Sequence, residues 1–263
     1  MKQKMTSLAL LMGAMVLATG AQAALTYGNL DTTGFTASST PGYQDAVYMG
    51  SGGGVTNGNW TVNTIGSLEI GLRAKNRGTF DGDGSSGTYS FDNGLCNPVC
   101  SGGPKAVWNY EFSVNTRAGG IGVVDLTTRI VEIRVDTDRT AGLAFTGWTD
   151  VTTNWGDNAY WDGIDATDGD PERRVGTGPA SAGEFGVQQS ANPLFGNSLF
   201  QPGFDPFASG LYRIEMRVRD STITTGNSTL GEVGINVQVP EPSSLALVGL
   251  AIAGLGFASR RKA

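Results

Sequence analysis

VWNYEFSV, residues 107–114, sets four large apolar side chains, Trp108, Tyr110, Phe112 and Val114, against Asn109, Glu111 and Ser113 in strict alternation. Successive side chains of an extended chain point to opposite faces, so this segment predicts a strand with one apolar and one polar face. The period recurs in SLEIGLRAK, where Leu68, Ile70, Leu72 and Ala74 oppose Glu69 and Arg73. It recurs again in Val131, Ile133 and Val135 against Glu132, Arg134 and Asp136, and in Tyr212, Ile214, Met216 and Val218 against Arg213, Glu215, Arg217 and Arg219. A last strand is expected through Val233, Ile235, Val237 and Val239. Shorter candidates are residues 60–65, 88–91 and 143–148.

Between the two termini no segment has sustained helical spacing, and 40 glycines punctuate the chain with turns such as Asn57-Gly58. One-sided strands bury their apolar faces by packing sheet on sheet, so the expected fold is all-β: an antiparallel β-sandwich, jelly-roll or Ig-like. ASGLYRIEMRV is similar to the Gly-x-Tyr entry of a late strand in Ig-like sandwiches, which implies that the Tyr212 hydroxyl pins a corner. Residues 149–197 are expected as long loops at one end of the sandwich, where binding residues concentrate.

The two ends of the chain differ from its middle. Lys2 and Lys4 precede an apolar run over residues 8–18, and Ala21 and Ala23 supply the small side chains of a signal-peptidase site. Residues 1–23 therefore read as a secretory signal peptide and Ala24 as the first mature residue. At the other end LALVGLAIAGLGFA, residues 245–258, is uncharged and predicts a single short transmembrane helix. Even with the flanking serines it reaches only about 25 Å as a helix, against about 30 Å of hydrocarbon. Arg260, Arg261 and Lys262 extend that reach by snorkelling and stay on the cytoplasmic side. Pro240 and Pro242 flank Glu241, and neither a regular helix nor a central strand runs through two prolines so spaced. The chain thus divides into 1–23, a β-domain over 24–238, and a C-terminal segment over 239–263.

Val239-Pro240-Glu241-Pro242, the short apolar run and Arg260-Arg261-Lys262 together resemble the PEP-CTERM sorting signal of Gram-negative bacteria. The resemblance covers only residues 239–263. It implies recognition at Pro240-Glu241-Pro242 by an exosortase-type membrane protease, an inner-membrane intermediate, and delivery to the cell surface or exopolysaccharide matrix. A plain tail anchor with a proline-containing linker is the alternative. The order of GTYSFD, VWNYEFSVNT, RIVEIRVDTD, VQQSANPLFG and ASGLYRIEMRV also resembles uncharacterised cargo domains of such proteins, a likeness that names no activity.

Of 18 Lys and Arg, five lie in the two end segments, and of 24 Asp and Glu only Glu241 does, which leaves the middle near −10. Such a surface repels phosphate backbones and speaks against nucleic-acid binding. The sequence holds no histidine, which excludes Ser-His-Asp and Cys-His catalysis and His-ligated zinc. Cys96 and Cys100, exported to an oxidising compartment, read as a disulfide, with two free thiols as the alternative.

Two acidic stretches are candidate calcium ligands: Asp81 and Asp83 in DGDGSSGTYSFD, which lacks the glycine and final glutamate of an EF-hand, and Asp162, Asp165, Asp168 and Asp170 in WDGIDATDGDPE. Crowded carboxylates repel, and a hard cation relieves that repulsion; screening by water, salt, Arg173 and Arg174 is the competing account. Trp148, Trp155 and Trp161, with Tyr160, are candidates for a carbohydrate platform or for ordinary packing. A carboxylate glycosidase would need a facing pair, for which Asp157 and Asp162 are the candidates. The leading expectation is an exported, non-enzymatic surface or matrix protein, with a calcium-dependent or carbohydrate-binding module as the alternative.

Overall fold

The structure is a computed structural model and describes residues 24–31, 46–49, 53–56, 58–77, 86–96, 103–120, 125–155, 158–161, 173–176 and 180–241. Among them are fourteen strands: β1 (Thr26–Gly28), β2 (Ala46–Met49), β3 (Gly53–Thr56), β4 (Trp60–Ile65), β5 (Leu68–Asn76), β6 (Thr88–Ser90), β7 (Trp108–Asn115), β8 (Arg129–Val135), β9 (Thr149–Asp150), β10 (Asn158–Trp161), β11 (Arg173–Gly176), β12 (Gly186–Ala191), β13 (Gly210–Asp220) and β14 (Thr229–Val239). They form a seven-stranded sheet in the order β1-β4-β5-β7-β12-β10-β11, a five-stranded sheet in the order β6-β14-β13-β8-β9, and the hairpin β2-β3. A single helical turn, α1 (Val151–Asn154), is capped by the Asp150 carboxylate, which accepts from the Thr152 N–H.

The two large sheets face each other, with β14 lying over β4 and β5. Between them is one cluster that holds every apolar residue of the alternating segments, from Leu68, Ile70, Leu72 and Ala74 through Trp108 to Val114 and on to Val239. Full burial of each large side chain stabilises by about 1.5–3 kcal/mol, so this shared layer is what holds the sheets together. The sheets are tightly packed at Gly231: a Cβ there would lie 2.5 Å from Ile65 Cδ1 and 3.0 Å from Ile70 Cδ1, so a larger residue would push those side-chain ends aside.

Four sequence expectations are corrected. Pairing is antiparallel except between β6 and β14, where Thr88 to Ser90 run parallel to Asn236 to Gln238, because the chain leaves β5, crosses to the smaller sheet and returns as β7. Residues 143–148 are not a strand: Phe145 makes one isolated bridge to Asp136, and its ring and that of Trp148 lie over the Arg134 guanidinium at 4.3 and 4.4 Å. Residues 149–197 are not merely loops, since they supply β9 to β12, and β12 pairs directly with β7. Tyr212 is buried among the rings of Trp108, Phe200 and Phe204, and its hydroxyl faces the Arg139 side chain rather than a backbone group upstream, so the expected corner is not formed.

The polar face of β5 and β7 is also not the solvated face that alternation suggests. Glu69, Arg73, Lys75, Asn109, Glu111, Ser113 and Asn115 are all buried. Leu30 covers Gly71, where an added Cβ would meet Leu30 Cδ2 at 2.5 Å, and β2 approaches β10 and β12 on this sheet. Burial of so many polar groups requires that they satisfy one another. Arg73 Nη2 lies 2.7 Å from Glu111 Oε2, its Nη1 donates to the Gly58 carbonyl at 2.7 Å, and its plane lies 4.5 Å from the Trp60 ring. Lys75 Nζ pairs with the other oxygen of Glu111. Asn109 donates to Ser190, and Gln188 to Ser113, at 3.0 and 2.8 Å.

Burial alone would push the Glu111 carboxyl up, but Arg73 and Lys75 together hold it below its usual value. At Lys75 burial wins and the ammonium is pulled down, because one carboxylate must offset both desolvation and the repulsion of Arg73 and Arg77. Glu111 is therefore the hub of the group. E111A should destabilise the domain by about 3–5 kcal/mol in urea unfolding, since two buried cations lose their counter-charge; the triple variant R73M, K75M, E111L should cost less than E111A alone.

Glu69 is the second buried carboxylate on this face. Both its oxygens accept the Asp31 N–H, at 2.9 and 3.1 Å, which fastens the end of residues 24–31 to β5. Burial, with a smaller push from the Asp31 charge, lifts its pKa from 4.5 to about 7 against the pull of that backbone hydrogen bond. The folded state then binds the proton more tightly than the unfolded chain, so stability rises as pH falls from about 7 to about 4.5 and is lost as pH rises again. The swing is on the order of 3 kcal/mol. Urea midpoints measured at about pH 5 and about pH 8 should differ in that direction for the native chain and converge in E69Q.

Candidate functional site at the end of β14

β14 is an interior strand. It is held by β13 from Thr229↔Arg219 to Val239↔Gly210 on one side, and by β6 from Asn236 to Gln238 on the other. Phe91 N donates to the Gln238 carbonyl at 3.1 Å, one residue past the last strand pair with β6. Val239 is 3 % exposed and belongs to the core cluster, whereas Pro240 and Glu241 are exposed. The change from buried, paired backbone to open chain thus takes one residue. Pro240 enforces it, because it has no N–H with which to continue either ladder.

Gly210, the partner of Val239, marks how closely this end is packed. A Cβ on Gly210 would sit 2.6 Å from Arg139 Cβ and 3.0 Å from the Arg139 carbonyl oxygen. The same carbonyl accepts the Leu211 N–H at 3.1 Å. Beside it Thr137, Arg139, Phe200, Phe204, Asp205 and Tyr212 line a cavity of about 240 Å³. The junction is therefore a rigid strand end followed at once by Pro-Glu-Pro.

Residues 238–262 match the PEP-CTERM protein-sorting motif. The PEP-CTERM motif begins on the last paired residues of the folded domain, with no linker between them. It implies an exported chain that is directed to an exosortase-type membrane enzyme. The cargo domain has no such guide: no curated protein and no solved structure matches the chain.

Of the predicted sorting residues, Val239, Pro240 and Glu241 are placed by the structure, while Pro242, Arg260, Arg261, Lys262 and the apolar run 245–258 lie outside the described residues. No helix among the described residues is long and apolar enough to cross a membrane. Ala21 and Ala23 are likewise outside, and Ala24 opens the described chain, exposed. Cys96 is buried and disulfide-bonded; Cys100 is outside the described residues.

Neither acidic stretch can be assembled here: Asp81, Asp83, Asp157, Asp162, Asp165, Asp168 and Asp170 all lie outside the described residues, and Asp92 is exposed. Among the described residues no three His, Cys, Asp or Glu side chains gather as metal ligands. The aromatic platform is corrected. Trp155 is 3 % exposed and packs between the sheets against Tyr110 and Phe112, at 5.9 and 5.8 Å, and Tyr160 is fully buried in the same cluster. Trp148 stands on the outer face of the smaller sheet, over Arg134 and Arg217 at 4.4 and 4.1 Å. Two rings on opposite faces of a sheet cannot stack on one sugar. For Trp161 only the backbone in β10 is described.

One feature escaped the sequence reading. The outer face of the smaller sheet is a ladder of charges in which Glu215 takes Arg134 and Arg213, and Glu132 takes Arg217 and Arg219 at 2.6 and 2.8 Å. Burial would raise Glu132, yet hydrogen bonds from Arg219 and Arg217 hold it below the usual value. The alternating signs of YRIEMRVRD carry that signal: opposite charges on neighbouring strands pair across the face.

G210A tests how firmly the junction is held. The clash with Arg139 should displace the start of β13, lower stability by about 1–3 kcal/mol in urea unfolding, and open Gln238 and Val239 to limited proteolysis that the native chain resists.

Proposed function

We propose that this protein is an exported, non-enzymatic surface or exopolysaccharide-matrix component of a Gram-negative bacterium, handed over by an exosortase-type enzyme at Pro240-Glu241-Pro242. The 24–238 domain is the cargo, a β-sandwich whose two main sheets are antiparallel apart from the parallel pair β6–β14. Residues 1–23 direct it through the secretory route, and signal peptidase releases Ala24. Residues 245–258 hold it in the inner membrane with Arg260, Arg261 and Lys262 on the cytoplasmic side until the tail is exchanged or removed.

The observation that carries this reading is the junction itself: a PEP-CTERM motif placed directly on the last interior strand of an acidic, histidine-free β-domain. A protease acting on folded substrate reaches Pro240 and Glu241, which are exposed, and not Val239, which is buried and paired. Processing of the folded protein consequently leaves the whole of β14 in place.

Intact-mass measurement of the surface fraction should therefore give a chain that begins at Ala24 and ends at or shortly after Pro240, without residues 245–263. In the double variant P240A, E241A the precursor should accumulate in the inner-membrane fraction with its tail attached. A full-length product in the cytosol would overturn the export reading, and a surface form that keeps Lys262 would reduce the tail to a plain anchor.

A further inference from the structure

Resting on the membrane insertion of residues 245–258 proposed above, we propose that the end of the domain from which β14 exits is a lipid-contacting face, with Phe207, Leu143 and Leu211 entering the headgroup layer of the bilayer. Those three residues lie at that end, brought there from separate parts of the chain. Leu211 lies directly across from Gln238 in the β13–β14 ladder. Phe207 is tied to the same place through the turn after β6: its carbonyl accepts from Asn93 Nδ2 at 3.0 Å, the Pro206 carbonyl accepts from Gly94 N, and Phe91 N reaches Gln238. Leu143 sits in the hairpin that extends β8 past this end, closed by Thr137 N to the Ala144 carbonyl at 3.1 Å and tied to β13 through Leu211 N and the Arg139 carbonyl.

Leu143 and Phe207, 62 % and 61 % exposed, are the two most exposed large apolar side chains among the described residues, and Leu211 is 39 % exposed. Isolated apolar side chains on a surface need no explanation. What gives these a partner is the length of chain that follows. Only residues 240–244 separate Val239 from the apolar run, so the strand end is held within about 21 Å of Leu245 even at full extension. The headgroup layer itself occupies part of that distance. A domain on so short a tether presents this end to the bilayer and cannot turn it away.

The charges around the rim select the kind of contact. Arg213 is already paired with Glu215, and the segments at this end carry Asp138, Asp205 and Glu241 beside Arg139, which leaves no excess of positive charge. Attraction to anionic lipid is thereby unavailable, and the contact is made by apolar side chains in the interface, where Phe and Leu partition favourably.

The test uses the full chain reconstituted in vesicles of phosphatidylethanolamine with a minority of phosphatidylglycerol, with p-benzoylphenylalanine in place of Phe207, of Leu143 or of Ile223. Ile223 is the control, since it is 42 % exposed and lies in the turn between β13 and β14 at the opposite end. After irradiation, lipid adducts should form at 207 and 143 and be absent at 223. Adding F207S and L211S to the chain that carries the probe at 143 should abolish its adduct while the protein stays resistant to carbonate extraction. A carbonate-resistant chain with no adduct at 207 and 143, or with an equal adduct at 223, would overturn the lipid-contacting face and leave the inserted tail standing. A chain released by carbonate would overturn both.

Discussion

The interior position of β14 is the constraint on which the rest of the structure depends. Its backbone is bonded to β13 and β6, and its apolar side chains Val233, Ile235, Val237 and Val239 lie against the larger sheet. One strand thus ties the two sheets together, closes the core and delivers the chain to its sorting motif. Its register with β13 is fixed by burial, because a slip of one residue would carry four valine and isoleucine side chains to the charged outer face.

That arrangement makes sorting and folding share a residue. Val239 is at once a core residue and part of the matched motif. Pro240 serves both sides of the boundary: it ends the ladder because it lacks a donor, and it starts an extended, exposed segment because of its fixed φ. The folded domain therefore sets the upstream limit of what an enzyme can reach.

The inner layer of this fold was legible in the sequence because period two reports which side chains share a face. Leu68 to Ala74, Trp108 to Val114 and Tyr212 to Val218 fell where alternation put them. Alternation does not report burial, and so Glu69, Arg73, Lys75 and Glu111 read as a solvated face although all four are buried, with Leu30 and Asp31 lying on the same face. β12 was hidden for a related reason: GVQQSA has no apolar period, and its buried glutamines are satisfied by hydrogen bonds, Gln188 donating to Ser113 and Gln189 accepting from the Ser190 N–H. The sorting motif was legible because order along the chain is its whole signal. The aromatic platform misled because tryptophans close in sequence, Trp148 and Trp155, are separated by a strand and a helical turn that send them to opposite sides of a sheet.

The parallel pair of β6 and β14 has a mechanical meaning. A pull on the C-terminal tail, from a membrane or from whatever replaces it, acts along the axis of β14. The hydrogen bonds to β6 and β13 lie across that axis, so they are loaded together in shear instead of opening one after another like a zip. Resistance to force is governed by the unfolding rate, and a strand clamped on both edges raises the barrier to its withdrawal. The fold thus places a strand bonded on both edges directly before the sorting motif.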